Sequence, residues 1–387
     1  MRYMTLGHSA SAAALAAGLA ATPIAAQVPQ VMTDIPVTHS LVATVMDGLG
    51  TPDLLLDRGA DPHHFQLRPT QARALSQAGL VVWLGPEMTP WLVRGLDNLA
   101  EGEVLNLLEV EGVHLQPYQP MRLTGAAAEA AEEHAHDHGH GHGHGHDDHG
   151  HGHDEDHGHG HDDHGHGHDD DHGHGHDDHG HGHDDDHGHD DDHGHDDDHG
   201  HGHGHDDHGH HQHGDFDTHA WMDPANAALW LDAIADQLAT MDPDNAETYR
   251  ANAVAGQERI NTMARDIAAI LEPVHDRGFV VYHDAYGYLA TAFGLNILGS
   301  ITLGDAADPG AARLSAIRAS LVEAGAVCIF PEVNHPDAYI SLVSGDANLR
   351  IGEALDPAGV MLEPGPGTYE ALMRGMAQNI ANCLGQN

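Results

Sequence analysis

Between His134 and His213 the chain carries 34 of its 43 histidines and 24 of its 61 acidic residues, with no lysine or arginine. The segment 125–214, most of it repeated His-Gly and His-Asp-Asp units, has no apolar periodicity. Such a stretch cannot bury enough surface to offset chain entropy, so it is expected to be disordered without metal. Patterned sequence lies on both sides of it, which makes it an insertion within a fold. The rest of the 387 residues suffices for two domains. The net charge of −47 divides into −24 for 134–213 and −23 for the remainder. Both parts are acidic, which disfavours nucleic acid and anionic membranes as partners and favours cations.

The N-terminus reads as an export signal over 1–26. Arg2 supplies the positive start, Ala10 to Ala21 a short apolar run, and Ala25-Ala26 before Gln27 a small-residue cleavage site. No later run reaches the roughly 18 uninterrupted apolar residues of a membrane span, and no cysteine follows the cleavage site as a lipid anchor. The mature protein is expected to be soluble in a periplasm. Cys328 and Cys383 are the only cysteines. In an oxidising compartment such a pair suggests one disulfide, with two free buried thiols as the alternative.

The patterned regions alternate strand-like and helix-like segments. Strands are expected at Val31–Ile35, Leu54–Leu56, Leu80–Leu84 and Val104–Leu108, with helices at Ser40–Leu49, Thr70–Ala78 and Pro90–Leu99. The unbroken apolar run at 80–84 suits a buried parallel strand. After the insert, Asp223-Pro224 and Asp242-Pro243 each place a capping residue before a first-turn proline. The second starts a helix expected to run to Leu271, about 40 Å long at 1.5 Å per residue. Strands then recur at Phe279–Tyr282, Asn296–Ile301, Val327–Phe330 and Leu349–Ile351, each followed by a helix, the last from Tyr369 to Leu384. The fold class is therefore α/β, with two βα lobes built on parallel sheets and joined by one long rigid helix. The divisions are an N-terminal lobe over 27–124 completed by 215–242, the insert, a linking helix over 243–273 and a C-terminal lobe over 274–387.

Three histidines of the patterned regions stand at strand ends or helix starts, where open α/β sheets place ligands. His63 follows the strand at Leu54, His219 precedes the helix at Pro224, and His283 ends the strand Val280-Val281-Tyr282. Asp356, after the strand at Leu349, is a fourth candidate. Neutral imidazole is a preferred ligand of Zn²⁺, and three with water or a carboxylate make a common tetrahedral site. His39, His114 and His275 lack clustered partners, and His335 is expected to be a solvent-facing loop residue. His64, beside His63 on an extended chain, is expected to point elsewhere.

Pro62-His63-x-Phe65-x-Leu67-Arg68-Pro69, His219-x-Trp221-x-Asp223-Pro224 and His283-Asp284-Ala285-Tyr286-Gly287-Tyr288 together resemble the metal-binding solute-binding proteins that serve ABC transporters. Val81 to Met88, Leu355-Asp356-Pro357 and the His-rich insert are similar to the zinc-specific, ZnuA-type branch. The resemblance implies metal binding by His63, His219 and His283, with Asp356 or water as fourth ligand. Manganese-specific relatives carry glutamate at the third position, so His283 favours zinc. It also implies a Cys328–Cys383 disulfide, modest motion about the linking helix, and Zn²⁺ passed by a monomer to a membrane permease. The insert reads as a reservoir that raises local zinc, or as a sensor of abundance. Competing readings are a broader Zn/Mn binder, a storage protein made plausible by the insert, and a zinc hydrolase, for which Asp284 or Glu332 would have to serve as base.

Overall fold

In the computed structural model, which describes residues 28–118, 216–302, 310–345 and 349–386, the βα alternation folds into two separate parallel sheets. The expected export signal and the His-rich insert lie outside the described residues. The first sheet contains β1 (Val31–Thr33), β2 (Asp53–Leu54), β3 (Leu80–Trp83) and β4 (Glu103–Asn106), in the order β2-β1-β3-β4. The second contains β5 (Phe279–Val281), β6 (Ile297–Ser300), β7 (Cys328–Ile329) and β8 (Arg350–Ile351), in the order β6-β5-β7-β8. Both orders reverse direction after their first strand. Each sheet therefore has a crevice at the carboxyl ends of its two central strands.

Four helices of the first lobe begin on proline: α1 (Pro36–Val45), α2 (Pro69–Gln77), α3 (Pro90–Leu99) and α4 (Pro224–Met241). The ring presets φ where no intrahelical N–H is needed. Helix α1 consequently starts four residues before the expected Ser40 and ends at Val45 rather than Leu49. Asp223 caps α4 by accepting the Ala225 N–H at 2.9 Å. Pro243 opens a short 3₁₀ turn, and the linking helix α5 follows as Ala246–Leu271. Its 26 residues span about 39 Å.

Helix α5 buries Tyr249, Ala253, Gly256, Ile260, Met263, Ile267 and Leu271, three or four positions apart, so one stripe faces the core along its whole length. Gly256 is required by a close crossing: a Cβ there would meet Leu231 of α4 at 2.7 Å and Thr44 of α1 at 2.8 Å. The second lobe adds α6 (Gly287–Phe293), α7 (Ala311–Glu323), α8 (Asp337–Ser344) and α9 (Thr368–Leu384). One apolar cluster joins α1, α4, α5 and α9 to both sheets, with Trp221, Trp230, Tyr249 and Phe279 fully buried in it. Cys328 of β7 and Cys383 of α9 form a disulfide, so the closing helix is tied covalently to the second sheet.

Candidate metal centre

The donor atoms of His63, His219 and His283 lie within 4.8 Å of one another, although the residues are far apart in sequence. His63 sits in the loop after β2. Asp61 Oδ1 accepts its backbone N–H at 2.8 Å, and Trp91 of α3 donates to the Pro62 carbonyl at 2.8 Å. Phe65 packs edge-on against Trp91, which pins the loop from the other side. His219 enters just before the 3₁₀ turn Ala220–Met222. Asp217 Oδ1 accepts both its N–H, at 2.9 Å, and its Nδ1–H, at 2.8 Å. His283 follows β5, and Glu332, just beyond β7, accepts from its Nδ1.

These two carboxylates decide what the imidazoles can do. Each buried ring gives its Nδ1 proton to a buried acid, which turns Nε2 toward the cleft as a lone pair. The Nε2 atoms of His219 and His283 stand 3.3 Å apart. Two nitrogens on a tetrahedral zinc with bonds of 2.0–2.1 Å are separated by about 3.4 Å. The ring centroids of His63 lie 5.3 Å from His219 and 6.2 Å from His283, which completes a three-sided arrangement. Glu332 is itself fixed, because Tyr286 Oη donates to its other oxygen at 2.6 Å. Burial, the Glu332 charge and that hydrogen bond push the Tyr286 phenol far above its usual range, so it remains a donor.

Asp356 lines the same cleft but is not part of the close-set donor group. Its Oδ1 accepts the Val360 N–H at 3.0 Å and its Oδ2 the Met361 N–H at 2.9 Å. Burial raises its pKa, and the backbone donors pull the other way. His64 is turned out, with Nδ1 3.1 Å from Asp61 Oδ2 and a side chain 60% exposed. Arg68 pairs with Asp57 at 2.5 Å within the first lobe. His39 contacts the Pro52 carbonyl, His114 lies beside Asp223, and His275 contacts the Glu272 carbonyl, all apart from the three-histidine group.

His335 keeps its expected loop position with a side chain 36% exposed, yet it also reaches the cleft. Asn334 adopts a left-handed conformation with φ of 68°, and the imidazole that follows stacks on Tyr282 at 4.4 Å. It thus lines the cleft, with Nε2 3.9 Å from Glu332 Oε2. Asparagine tolerates that backbone region better than most residues, and a loop pattern alone does not reveal it. Asp217 and Glu332 were also absent from the expected metal site. Asp217 is two residues before His219, a spacing that could have suggested it. Glu332 is 49 positions from His283, and only the pairing of β5 with β7 brings them together. Asp284 is pushed up to about 6 by burial and the nearby Asp217, against the opposing influence of His219 and His283. Among the described residues, no lysine or arginine lines the cleft.

A model of the periplasmic zinc-uptake complex component A family, ZnuA, matches residues 31–383. The high-affinity zinc uptake system protein ZnuA of Paracoccus denitrificans is 44% identical over 373 residues, covering 96% of this chain and 97% of that protein. Its namesake in Brucella abortus is 33% identical over 374 residues, with the same coverage of 96% and 97%. Among solved structures, a crystal structure of ZnuA superposes with a TM-score of 0.60 at 17% identity, covering 92% of this chain and 99% of that one. The Mn²⁺ complex of FpvC from Pseudomonas aeruginosa does so with 0.62 at 16% identity, with coverage of 92% and 99%. These two structural likenesses speak to the fold alone. The match across nearly all of the sequence, together with relatives this similar, shows that the chain belongs to the ZnuA family of periplasmic zinc-uptake components.

Proposed function

We propose that this protein captures Zn²⁺ in the periplasm at His63, His219 and His283, and delivers it as a monomer to the permease of an ABC transporter. The observation that carries this reading is the convergence of three imidazoles, two of them oriented by buried carboxylates. Three neutral nitrogens suit zinc, whereas manganese or calcium would call for more oxygen. The cleft is acidic around the nitrogens, through Asp61, Glu332 and Asp356, and no lysine or arginine among the described residues lines it. A fourth position is left for Asp356 or water. Hydrolysis is disfavoured because both oxygens of Glu332 are engaged by His283 and Tyr286, which leaves it unsuited to activate a water.

The 34 histidines of the 134–213 stretch favour a second reading, in which the chain stores or buffers zinc. Calorimetric zinc titration of the full mature chain and of a form lacking Glu132 to Gly214 separates the two. One tight site is expected to survive the deletion and to weaken on the order of a hundredfold or more in His219→Ala or His283→Ala. Loss of tight binding with the deletion would instead make storage the function.

A further inference from the structure

Asp356 is the residue that the family resemblance offers as a fourth ligand, yet its oxygens are committed to the chain that follows. By accepting Val360 and Met361 N–H it closes the turn 356–361, in which Gly359 takes a φ of +73°. That turn reaches across to the first lobe at three places. The Val360 carbonyl accepts the Gly59 N–H at 3.0 Å. The Met361 carbonyl accepts from Arg58 Nη2 at 2.8 Å, and Arg58 also pairs with Glu363. The Pro357 carbonyl accepts from Trp221 Nε1 at 2.9 Å.

Each contact ends beside a metal-binding segment. Gly59 is two residues before Asp61, whose carboxylate holds the His63 backbone. Trp221 is two residues after His219, with the rings 5.2 Å apart. On its own side the turn follows Leu355, which is bridged to Glu332, the partner of His283. One carboxylate therefore shapes the turn to which all three histidine segments are attached. Drawing Asp356 onto a metal would free two backbone N–H groups and loosen that turn. Both oxygens are already used by backbone donors, so ligation and turn closure compete.

We infer that Asp356 is a positioning residue, the keystone of a clasp between the lobes that sets how long zinc stays, and not a zinc ligand. This rests on the three-histidine reading. The test loads the full chain with half an equivalent of Co²⁺, so that the tightest site fills first, and records the visible absorption. It then follows Zn²⁺ release to an excess of chelator. Asp356→Asn is expected to keep the wild-type cobalt spectrum while releasing zinc roughly tenfold faster. Arg58→Ala, on an exposed side chain outside the close-set donor group, should also speed release. The double variant should release more slowly than the product of the two effects predicts, because both act through one turn. A changed cobalt spectrum in Asp356→Asn makes Asp356 a ligand and overturns the proposal. Unchanged release in Arg58→Ala overturns it as well, whatever the folding of the Asp356 variant. His219→Ala is the control: if it leaves the wild-type spectrum intact, the three-histidine reading itself has failed.

Discussion

The two lobes share one strand order, yet the same place in each sheet holds opposite chemistry. At the end of β1, Asp34 occupies the first crevice, fully buried, with Ile35 and Leu84 N–H donating to it at 2.8 and 2.9 Å. At the end of β5, His283 occupies the second crevice and turns Nε2 to the cleft. The acid is consumed in closing its own sheet end, while the imidazole keeps one nitrogen for a ligand. The first lobe brings its histidines from elsewhere, in the β2 loop and the approach to α4. A switch point thus marks where a ligand can sit, and hydrogen-bond saturation decides which side chain is free to meet it.

The lobes also differ in their covalent ties, and this gives the largest effect expected for stability. Only the second, among the described residues, carries a disulfide, which closes a separation of 55 residues. Reduction is expected to destabilise the fold by about 4 kcal/mol on the chain-entropy account. Amide exchange should quicken in β7 and α9 before it quickens in β1 and β3. Uniform acceleration in both lobes would mean that they unfold as one unit.

Asp34 offers the next test. Burial raises its carboxyl to about 6 from 3.8. A carboxyl raised in the folded state favours folding below about pH 4, and that advantage is lost as pH climbs through about 6. The change amounts to on the order of 3 kcal/mol, at 1.36 kcal/mol per pKa unit. Urea unfolding should therefore show wild type losing stability relative to Asp34→Asn as pH rises from 4 to 7, while tight zinc binding at pH 7 stays within about threefold of wild type. Loss of zinc affinity in that variant would erase the contrast between the two crevices.

The smallest effect concerns the acids behind the imidazoles. Asp217→Asn and Glu332→Gln should each weaken zinc about tenfold to a hundredfold, as is typical for partners that orient a histidine ligand. Calorimetry would show whether the two lobes contribute equally. An effect confined to Glu332 would place the decisive orientation in the second lobe.

Much of this is legible in the sequence. The unbroken apolar runs at 80–84 and 279–282 announced buried parallel strands, and the Asp-Pro pairs announced the start of α4 and, three residues early, that of α5, because these signals are local. The three histidines could be nominated for the same reason, each lying next to its own strand or cap. Glu332 behind His283, His335 stacked on Tyr282 and the double capping by Asp356 could not. They depend on which strands become neighbours and on where a carboxylate's two oxygens are used. Sequence spacing by itself determined the secondary elements, the lobe plan and the kinds of ligand available. Only the tertiary structure decided that Glu332 orients His283 and that the Asp356 turn meets the first lobe, since the first pairing spans 49 positions and the contacts of the turn with Trp221 and Arg58 span 136 and 303.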